Sequence, residues 1–181
     1  EKAKAQGLSR PAPLRVTRGD IDLFVPRETV HQGLLLEAEG LPAQSLDDFL
    51  AHAPADARIL ILDQVTDPHN VGAILRSVAA FGGDAVIVTE RHAPGTTGVL
   101  AKTACGAVEH VPLISVVNLA RSLEALRAEG FWCVGLAEEG GRDLAASRLK
   151  EGRVALVLGA EGDGLRRLTR QHCDELARLP T

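Results

Sequence analysis

The sequence predicts an α/β fold with a mostly parallel sheet flanked by helices, because short apolar runs alternate with segments whose apolar residues recur at helical spacing. The clearest run, Ile-Leu-Ile-Leu at residues 59–62, is typical of a strand buried on both faces. A helical pattern over residues 68–81 follows and ends at Gly82 and Gly83. With 181 residues, 45% of them hydrophobic, the chain can form one full-sized domain with a packed core.

The same alternation continues toward the end of the chain. It predicts strands at residues 85–88, 108–113, 131–136 and 154–158. It predicts helices at residues 99–105, 116–128 and 165 to about 176, with a short helical piece at 144–149. The mixed pattern of residues 25–54 predicts a linker, an early strand at the apolar run 34–36 and a short helix near 46–50. Ligands of such sheets bind beyond the carboxyl ends of the strands, so the loops after residues 62, 88, 136 and 158 are the candidate sites.

Composition excludes several classes of protein. The net charge of −4 is not that of a chain that binds nucleic acid by overall charge alone, although residues 1–27 and Arg166, Arg167, Arg170 and Arg178 form two basic clusters. The three cysteines include no CxxC pair and the histidines no HExxH, so we expect reduced thiols and no metal site. No apolar run is long enough to span a membrane and no signal peptide is visible, which predicts a cytoplasmic protein. A first residue Glu1 and the lack of methionine suggest a trimmed chain.

The loop after the first strong strand is the first candidate site. Packing explains part of it, since Asp67 would cap the helix, Pro68 would begin it and Gly72 would allow close packing against the sheet. Packing does not explain Asn70 or Arg76, and an arginine among small and apolar residues normally has an anionic partner. The residues alone leave a functional pair and ordinary helix positions equally open.

The second candidate site is the glycine-rich segment 158–165. Gly159, Gly162 and Gly164 allow a sharp turn and the close approach of a ligand. Their spacing differs from the dinucleotide-binding GxGxxG, and the chain has no Walker A lysine and no GxSxG elbow. Taken alone, the segment is equally compatible with a simple glycine turn in which Glu161 is solvated.

Together the two segments resemble the SpoU family of RNA ribose 2'-O-methyltransferases, in the SPOUT superfamily. The first family motif corresponds to residues 67–82 (DPHNVGAILRSVAAFG) and the second to residues 156–165 (LVLGAEGDGL). The resemblance covers about residues 58–181, and residues 159–176 look especially like the bacterial 23S rRNA guanosine branch, as does His31-Gln32-Gly33 in the linker. The domains implied are the end of an RNA-binding domain at 1–25, a linker at 26–56 that includes the start of the catalytic domain, and that domain itself at 57–181.

The resemblance also implies a C-terminal trefoil knot, a homodimer and S-adenosylmethionine as cofactor. The cofactor residues implied are Leu136, Ala137, Leu158, Gly159 and Leu179. The catalytic positions implied are Asn70, Arg76 and Glu161, and we expect Arg166, Arg167 and Arg170 to bind RNA, unless these arginines form only a solvated helix face. The third motif would open at residues 179–181, so we expect a truncated knot and poor cofactor binding by this chain. A tRNA methyltransferase and a non-catalytic RNA-binding relative remain as alternatives.

Overall fold

The computed structural model describes residues 12–27, 29–37, 39–91, 97–139, 142–147, 149 and 152–179. The chain divides into two compact units, residues 1–40 and residues 41–181. The strands are β1 (Arg58–Asp63), β2 (Ala85–Thr89), β3 (Leu113–Val116), β4 (Phe131–Leu136), β5 (Arg142–Asp143), β6 (Arg153–Gly159) and β7 (Glu175–Arg178). The helices are α1 (Arg18–Asp22), α2 (Leu46–His52), α3 (Pro68–Ala80), α4 (Gly98–Ala104), α5 (Leu119–Ala128) and α6 (Arg167–His172), with 3-10 turns at Ala107–Glu109 and Leu144–Ala146.

The smaller unit contains only α1 among its described elements. Thr17 caps this helix in a reciprocal pair with Asp20. Further along, Nε2 of His31 lies 3.0 Å from Asp22, and Nδ1 accepts the backbone N–H of Gly33. The early strand expected at residues 34–36 is wrong, because these three leucines are exposed and pair with no strand. An apolar run without a partner strand or a covering helix does not form sheet.

The larger unit is built on a seven-stranded sheet in the order β3-β2-β1-β6-β4-β7-β5, and all of its pairs are parallel. The prediction of a mostly parallel α/β sheet is therefore confirmed. β1 lies between β2 and β6, and its side chains alternate between two hydrophobic cores. Ile59 and Ile61 pack with Leu123 of α5, whereas Leu62 packs with Leu75 of α3. The cores on the two faces fix which end of the sheet each loop occupies.

The first turn of helix α3 has the capping that the sequence predicts. The Asp67 side chain accepts the backbone N–H of His69, and Pro68 occupies the first turn, where a missing N–H costs nothing. Gly72 does allow close packing, but against α4 and not against the sheet. A Cβ at Gly72 would lie 2.8 Å from both the Leu100 carbonyl oxygen and Thr103 Cβ. This glycine therefore sets the distance between α3 and α4.

The strand expected at residues 108–113 and the helix expected at 116–128 are both shifted. The chain forms a 3-10 turn at Ala107–Glu109 after Gly106, whose φ is +89°. β3 begins only after Pro112, which has no N–H to donate. Helix α5 begins at Leu119, because the Asn118 side chain caps it by accepting the backbone N–H of Arg121.

The helix expected from residue 165 to about 176 is wrong in its second half. Helix α6 ends at His172, and β7 runs from Glu175 to Arg178 beside β4. Asp174 makes the change, since its carboxylate accepts the Cys133 N–H and its own N–H donates to the Cys133 carbonyl. The helical piece expected at 144–149 is reduced to the 3-10 turn at Leu144–Ala146.

None of the described helices has the length and hydropathy of a membrane span.

The thiols of Cys133 and Cys173 lie beside β7 and provide a pH-dependent prediction. Burial, reinforced by the nearby Asp174 carboxylate, raises the pKa of each thiol from 9.0 to about 12. The folded protein thus holds these protons more tightly than the unfolded chain. The stabilisation is complete below pH 9 and is lost as the pH rises from 9 toward 12, by up to about 1.4 kcal/mol per pH unit for each thiol.

Urea unfolding between pH 8 and pH 11 would measure this loss, and Cys173→Ala should lose less stability than the unsubstituted protein over the same range. At neutral pH a thiol reagent should modify the exposed Cys105 in the native protein and the other two cysteines only after unfolding. Equal native reactivity of all three cysteines would contradict this account.

Candidate active site

A cleft opens where β4 leaves β6. These two strands pair as far as Gly135 and Val157, whereas the pairing of β4 with β7 on its other edge continues to Leu136 and Ala177. The backbone N–H of Ala137 also donates to the Ala177 carbonyl, at 2.9 Å. The chains therefore separate at Leu136 and Leu158 and enclose a cleft of about 330 Å³. It is lined by Leu136, Ala137, Glu138, Glu139, Leu158, Gly159, Ala160, Gly162, Asp163, Gly164 and Arg170.

The structure brings most of the predicted cofactor residues together in this cleft. Leu136 and Ala137 line it from the end of β4, and Leu158 and Gly159 line it from the end of β6. The fifth, Leu179, does not line it; it follows β7 and is exposed. Pro180 and Thr181, where the third motif would open, lie outside the described residues.

Glu161 is exposed in the loop that closes one side of the cleft. The loop folds back on its own base, since the Gly164 N–H donates to the Ala160 carbonyl at 2.9 Å. A Cβ on Gly159 would lie only 2.1 Å from the Gly164 carbonyl carbon and 2.5 Å from the Leu165 nitrogen. Only glycine therefore fits at residue 159 without opening the loop.

Asn70 and Arg76 both lie on α3, the helix that follows β1. Because β1 and β6 pair in parallel, with Asp63 opposite Gly159, Asn70 in the first turn of α3 and the loop of Glu161 lie at the same edge of the sheet. No hydrogen bond or ion pair joins Asn70, Arg76 and Glu161 in the described part of the chain. The Arg76 side chain is exposed, and no described acidic residue pairs with it, so the anionic partner expected for it is not a side chain of the described residues. An exposed guanidinium needs no partner, because water solvates it.

The three arginines expected to bind RNA have different surroundings. Arg166 donates its Nε–H to the buried Asp63 at 2.6 Å, and Arg170 donates to Glu139 across the cleft at 2.8 Å. Arg167 is exposed and makes no ion pair with any described residue. The backbone N–H of Glu139 itself and the Arg170 guanidinium lower the pKa of the Glu139 carboxyl, so this acid is charged at neutral pH.

Sequence reasoning missed Asp63 and Glu139. Asp63 could have been found, because it is an acidic residue that directly follows the apolar run 59–62 at the carboxyl end of β1. Glu139 could not have been found from the sequence, because two adjacent acidic residues in a loop, here Glu138 and Glu139, are usually solvated. Within the described residues, no three His, Cys, Asp or Glu side chains are grouped so that they could hold a metal ion; His92 lies outside those residues.

Comparison with known proteins decides the family. The SpoU rRNA Methylase family model matches residues 57–181, which is more than half of the chain. The chain belongs to the SpoU rRNA methylase family. Two relatives are named 23S rRNA (guanosine-2'-O-)-methyltransferase RlmB: that of Vibrio cholerae is 48% identical over 153 residues, and that of Pseudomonas putida is 45% identical over 168 residues. These matches cover 83% and 90% of this chain but 61% and 66% of the relatives, so the chain spans slightly less than two thirds of their length.

Solved structures of SpoU methyltransferases share this fold. AviRb of Streptomyces viridochromogenes superposes with a TM-score of 0.71 at 25% identity, covering 78% of this chain and 56% of that one. Its complex with AdoMet gives a TM-score of 0.69 at 27% identity, with the same coverage. An AdoMet-bound rRNA methyltransferase from Sinorhizobium meliloti gives 0.71 at 26% identity, covering 77% of this chain and 52% of that one.

Gly159 provides a prediction that can be tested without an activity assay. Gly159→Ala places its Cβ against the backbone of Gly164 and Leu165, so it should lower the free energy of unfolding by about 1–3 kcal/mol. The matched control is Gly98→Ala in the first turn of α4, where a Cβ meets nothing within 4 Å and the stability should hold or rise by about 0.4–1 kcal/mol. Urea unfolding measures both variants. Equal stability of the two would mean that the loop does not close on Gly159.

Proposed function

We propose that this chain forms the catalytic part of an S-adenosylmethionine-dependent RNA methyltransferase, which methylates the ribose 2'-hydroxyl of a guanosine in 23S rRNA. The observation that carries the proposal is the cleft at the ends of β4 and β6, whose lining includes Leu136, Ala137, Leu158 and Gly159. The names of the relatives at 45–48% identity supply the substrate. In this proposal residues 57–181 are the catalytic domain, residues 26–56 the linker with the start of that domain, and residues 1–25 the end of an RNA-binding domain.

The lining of the cleft fits the proposed cofactor chemically. Leu136 and Leu158 offer apolar surface to an adenosine, and the volume is within the usual range for small-molecule sites. Glu138, Glu139 and Asp163 oppose a single guanidinium, that of Arg170, so the charged lining is acidic. A net negative lining favours S-adenosylmethionine, whose sulfonium and amino groups outweigh its carboxylate. When bound, the cofactor supplies an electrophilic methyl group.

The residues around the cleft would orient the ribose and stabilise the negative charge that develops on its 2'-hydroxyl. As the hydroxyl oxygen forms its bond to the methyl carbon, its proton would pass to water, and the carbon–sulfur bond would break to leave the neutral thioether S-adenosylhomocysteine. Asn70 would position the hydroxyl by a hydrogen bond, and Glu161 would hold the ribose or a neighbouring arginine. Arg76 would stabilise negative charge on the phosphate or on the developing alkoxide, since a guanidinium stays protonated and makes a poor base.

The finer assignments also belong to this proposal. In this proposal the enzyme acts on rRNA in the cytoplasm, and the family resemblance implies the homodimer and the C-terminal knot. Arg167 is the arginine best placed for RNA phosphate, because it is exposed and has no described ion-pair partner. A structure named for 2-OH methylation of C/U34 on tRNA matches at 25% identity with a TM-score of 0.59, which is why tRNA must be tested beside rRNA.

The direct test is to incubate the purified protein, in a form that includes the whole third motif implied by the resemblance, with radiolabelled S-adenosylmethionine and unmodified 23S rRNA or tRNA, and then to hydrolyse the RNA in alkali. We expect label in alkali-resistant dinucleotides from 23S rRNA, because a 2'-O-methyl group blocks cleavage of the adjacent phosphodiester. Label only in tRNA would show that the substrate is tRNA and not 23S rRNA. Label in alkali-labile mononucleotides would exclude the ribose 2'-hydroxyl as the methyl acceptor. Cofactor binding without transfer to either RNA would point to another substrate, and no cofactor binding would favour a non-catalytic relative.

Two substitutions at Arg76 test whether it acts through charge. Arg76→Ala should lower kcat by about 100-fold or more, because a charge-stabilising donor is lost. Arg76→Lys should keep substantial activity, since the ammonium retains the positive charge without the bidentate geometry. Single-turnover methyl transfer at saturating RNA measures both variants. Equal, complete loss in the two would show that geometry or proton transfer, not charge alone, is required.

A further inference from the structure

Asp63 is the only acidic residue among the described ones that is buried. It ends β1, and both of its carboxylate oxygens are used by one residue. Oδ2 accepts the backbone N–H of Arg166 at 2.9 Å, and Oδ1 accepts the Arg166 Nε–H at 2.6 Å. A buried carboxylate without such partners would be costly, so the pair holds Arg166 firmly at this place.

The pair anchors the far end of the loop that carries Glu161. The loop leaves β6 at Gly159, which lies opposite Asp63 in the sheet, and it returns to Arg166. Between these points the Gly164 N–H closes the base on Ala160, and Leu165 is buried in the core. The start and the end of the loop are therefore both held at the carboxyl end of β1.

We propose that Asp63 is a positioning residue that acts through Arg166 to hold the loop 159–166 in place. The loop carries Glu161 and the glycines that line the cleft, Gly159, Gly162 and Gly164. This inference rests on the proposed methyl transfer. It also assigns the Arg166 guanidinium to the loop through its Nε–H. The phosphate contact is then left to the adjacent Arg167, which is exposed and has no ion-pair partner among the described residues.

Adjacent arginines supply a matched pair of variants. Arg166→Ala should leave the slope of log K for RNA binding against log salt unchanged, whereas Arg167→Ala should lower its magnitude by about 1 because one phosphate contact is lost. Asp63→Asn keeps the shape of the side chain but turns an amide N–H toward a donor. It should lower kcat by about tenfold or more, with the KM for RNA within about twofold, because small displacements of a catalytic loop cost rate more than binding.

Hydrogen exchange provides a readout that does not depend on activity. In Asp63→Asn the amides of residues 159–166 should exchange faster, while those of β1 and β2 keep their protection. Arg166→Ala removes the cation opposite Asp63, whereas Arg166→Lys keeps one. Arg166→Lys should therefore retain more of kcat and more protection at residues 159–166 than Arg166→Ala does, which separates anchoring of the loop from a general loss of stability. If Asp63→Asn does not fold, Arg166→Lys and Arg166→Ala still allow the comparison.

Three outcomes would overturn the inference. These are a lowered salt slope in Arg166→Ala with kcat unchanged, unchanged exchange at residues 159–166 in Asp63→Asn, and faster exchange there with kcat unchanged. If the unsubstituted protein transfers no methyl group to either RNA, the proposed function fails on its own. The exchange of residues 159–166 then decides whether Asp63 anchors the loop.

Discussion

The parallel pairing of β1 with β6 is the constraint on which the candidate site depends. It runs without interruption from Arg58 opposite Val154 to Asp63 opposite Gly159. Because both strands end at the same level, the loop that leads into α3 and the loop that carries Glu161 leave the sheet side by side. A shift of register by one residue would move the side chains of either strand to the opposite face of the sheet and separate Asp63 from Arg166. The two motifs, far apart in sequence, can act together only in this register.

Local patterns predicted the centre of the sheet well and its periphery less well. Residues 59–62, 85–88, 131–136 and 154–158 are apolar runs buried on both faces, and all four form strands. β7 could not be predicted in this way, because Glu175–Arg178 alternates neither as a strand nor as a clear helix. Its conformation depends on hydrogen bonds to β4, which lies some 40 residues earlier. Long-range pairing of this kind leaves no signal in a local window.

The electrostatics of the site show the same division between what is local and what is not. The rule that an arginine among apolar residues has an anionic partner was applied to Arg76, whose position on α3 is in fact exposed. The ion pair is found instead at Arg166, which meets the buried Asp63 across a sequence separation of 103 residues. Sequence predicts which side chains are charged, and the fold decides which of them are desolvated and therefore paired. Residue type alone could not distinguish the three C-terminal arginines. Arg166 pairs with Asp63, Arg170 pairs with Glu139 in the cleft, and Arg167 has no ion-pair partner among the described residues.

The cleft exists because β4 stays paired with β7 one residue beyond the point where its pairing with β6 ends. Up to Gly135 it pairs with β6, and from Val134 onward its other edge pairs with β7, so that Leu136 and Ala137 follow β7 away from β6. Asp174 fixes the start of β7 by binding the backbone of Cys133, and Cys173 packs with Leu165 and Leu176 around Gly135, where a Cβ would lie within 3.0 Å of each. The width of the cleft thus depends on packing and hydrogen bonds behind it. Substitutions at Asp174 or Gly135 should act on the cleft without contacting anything bound there, because they change how far Leu136 lies from Leu158.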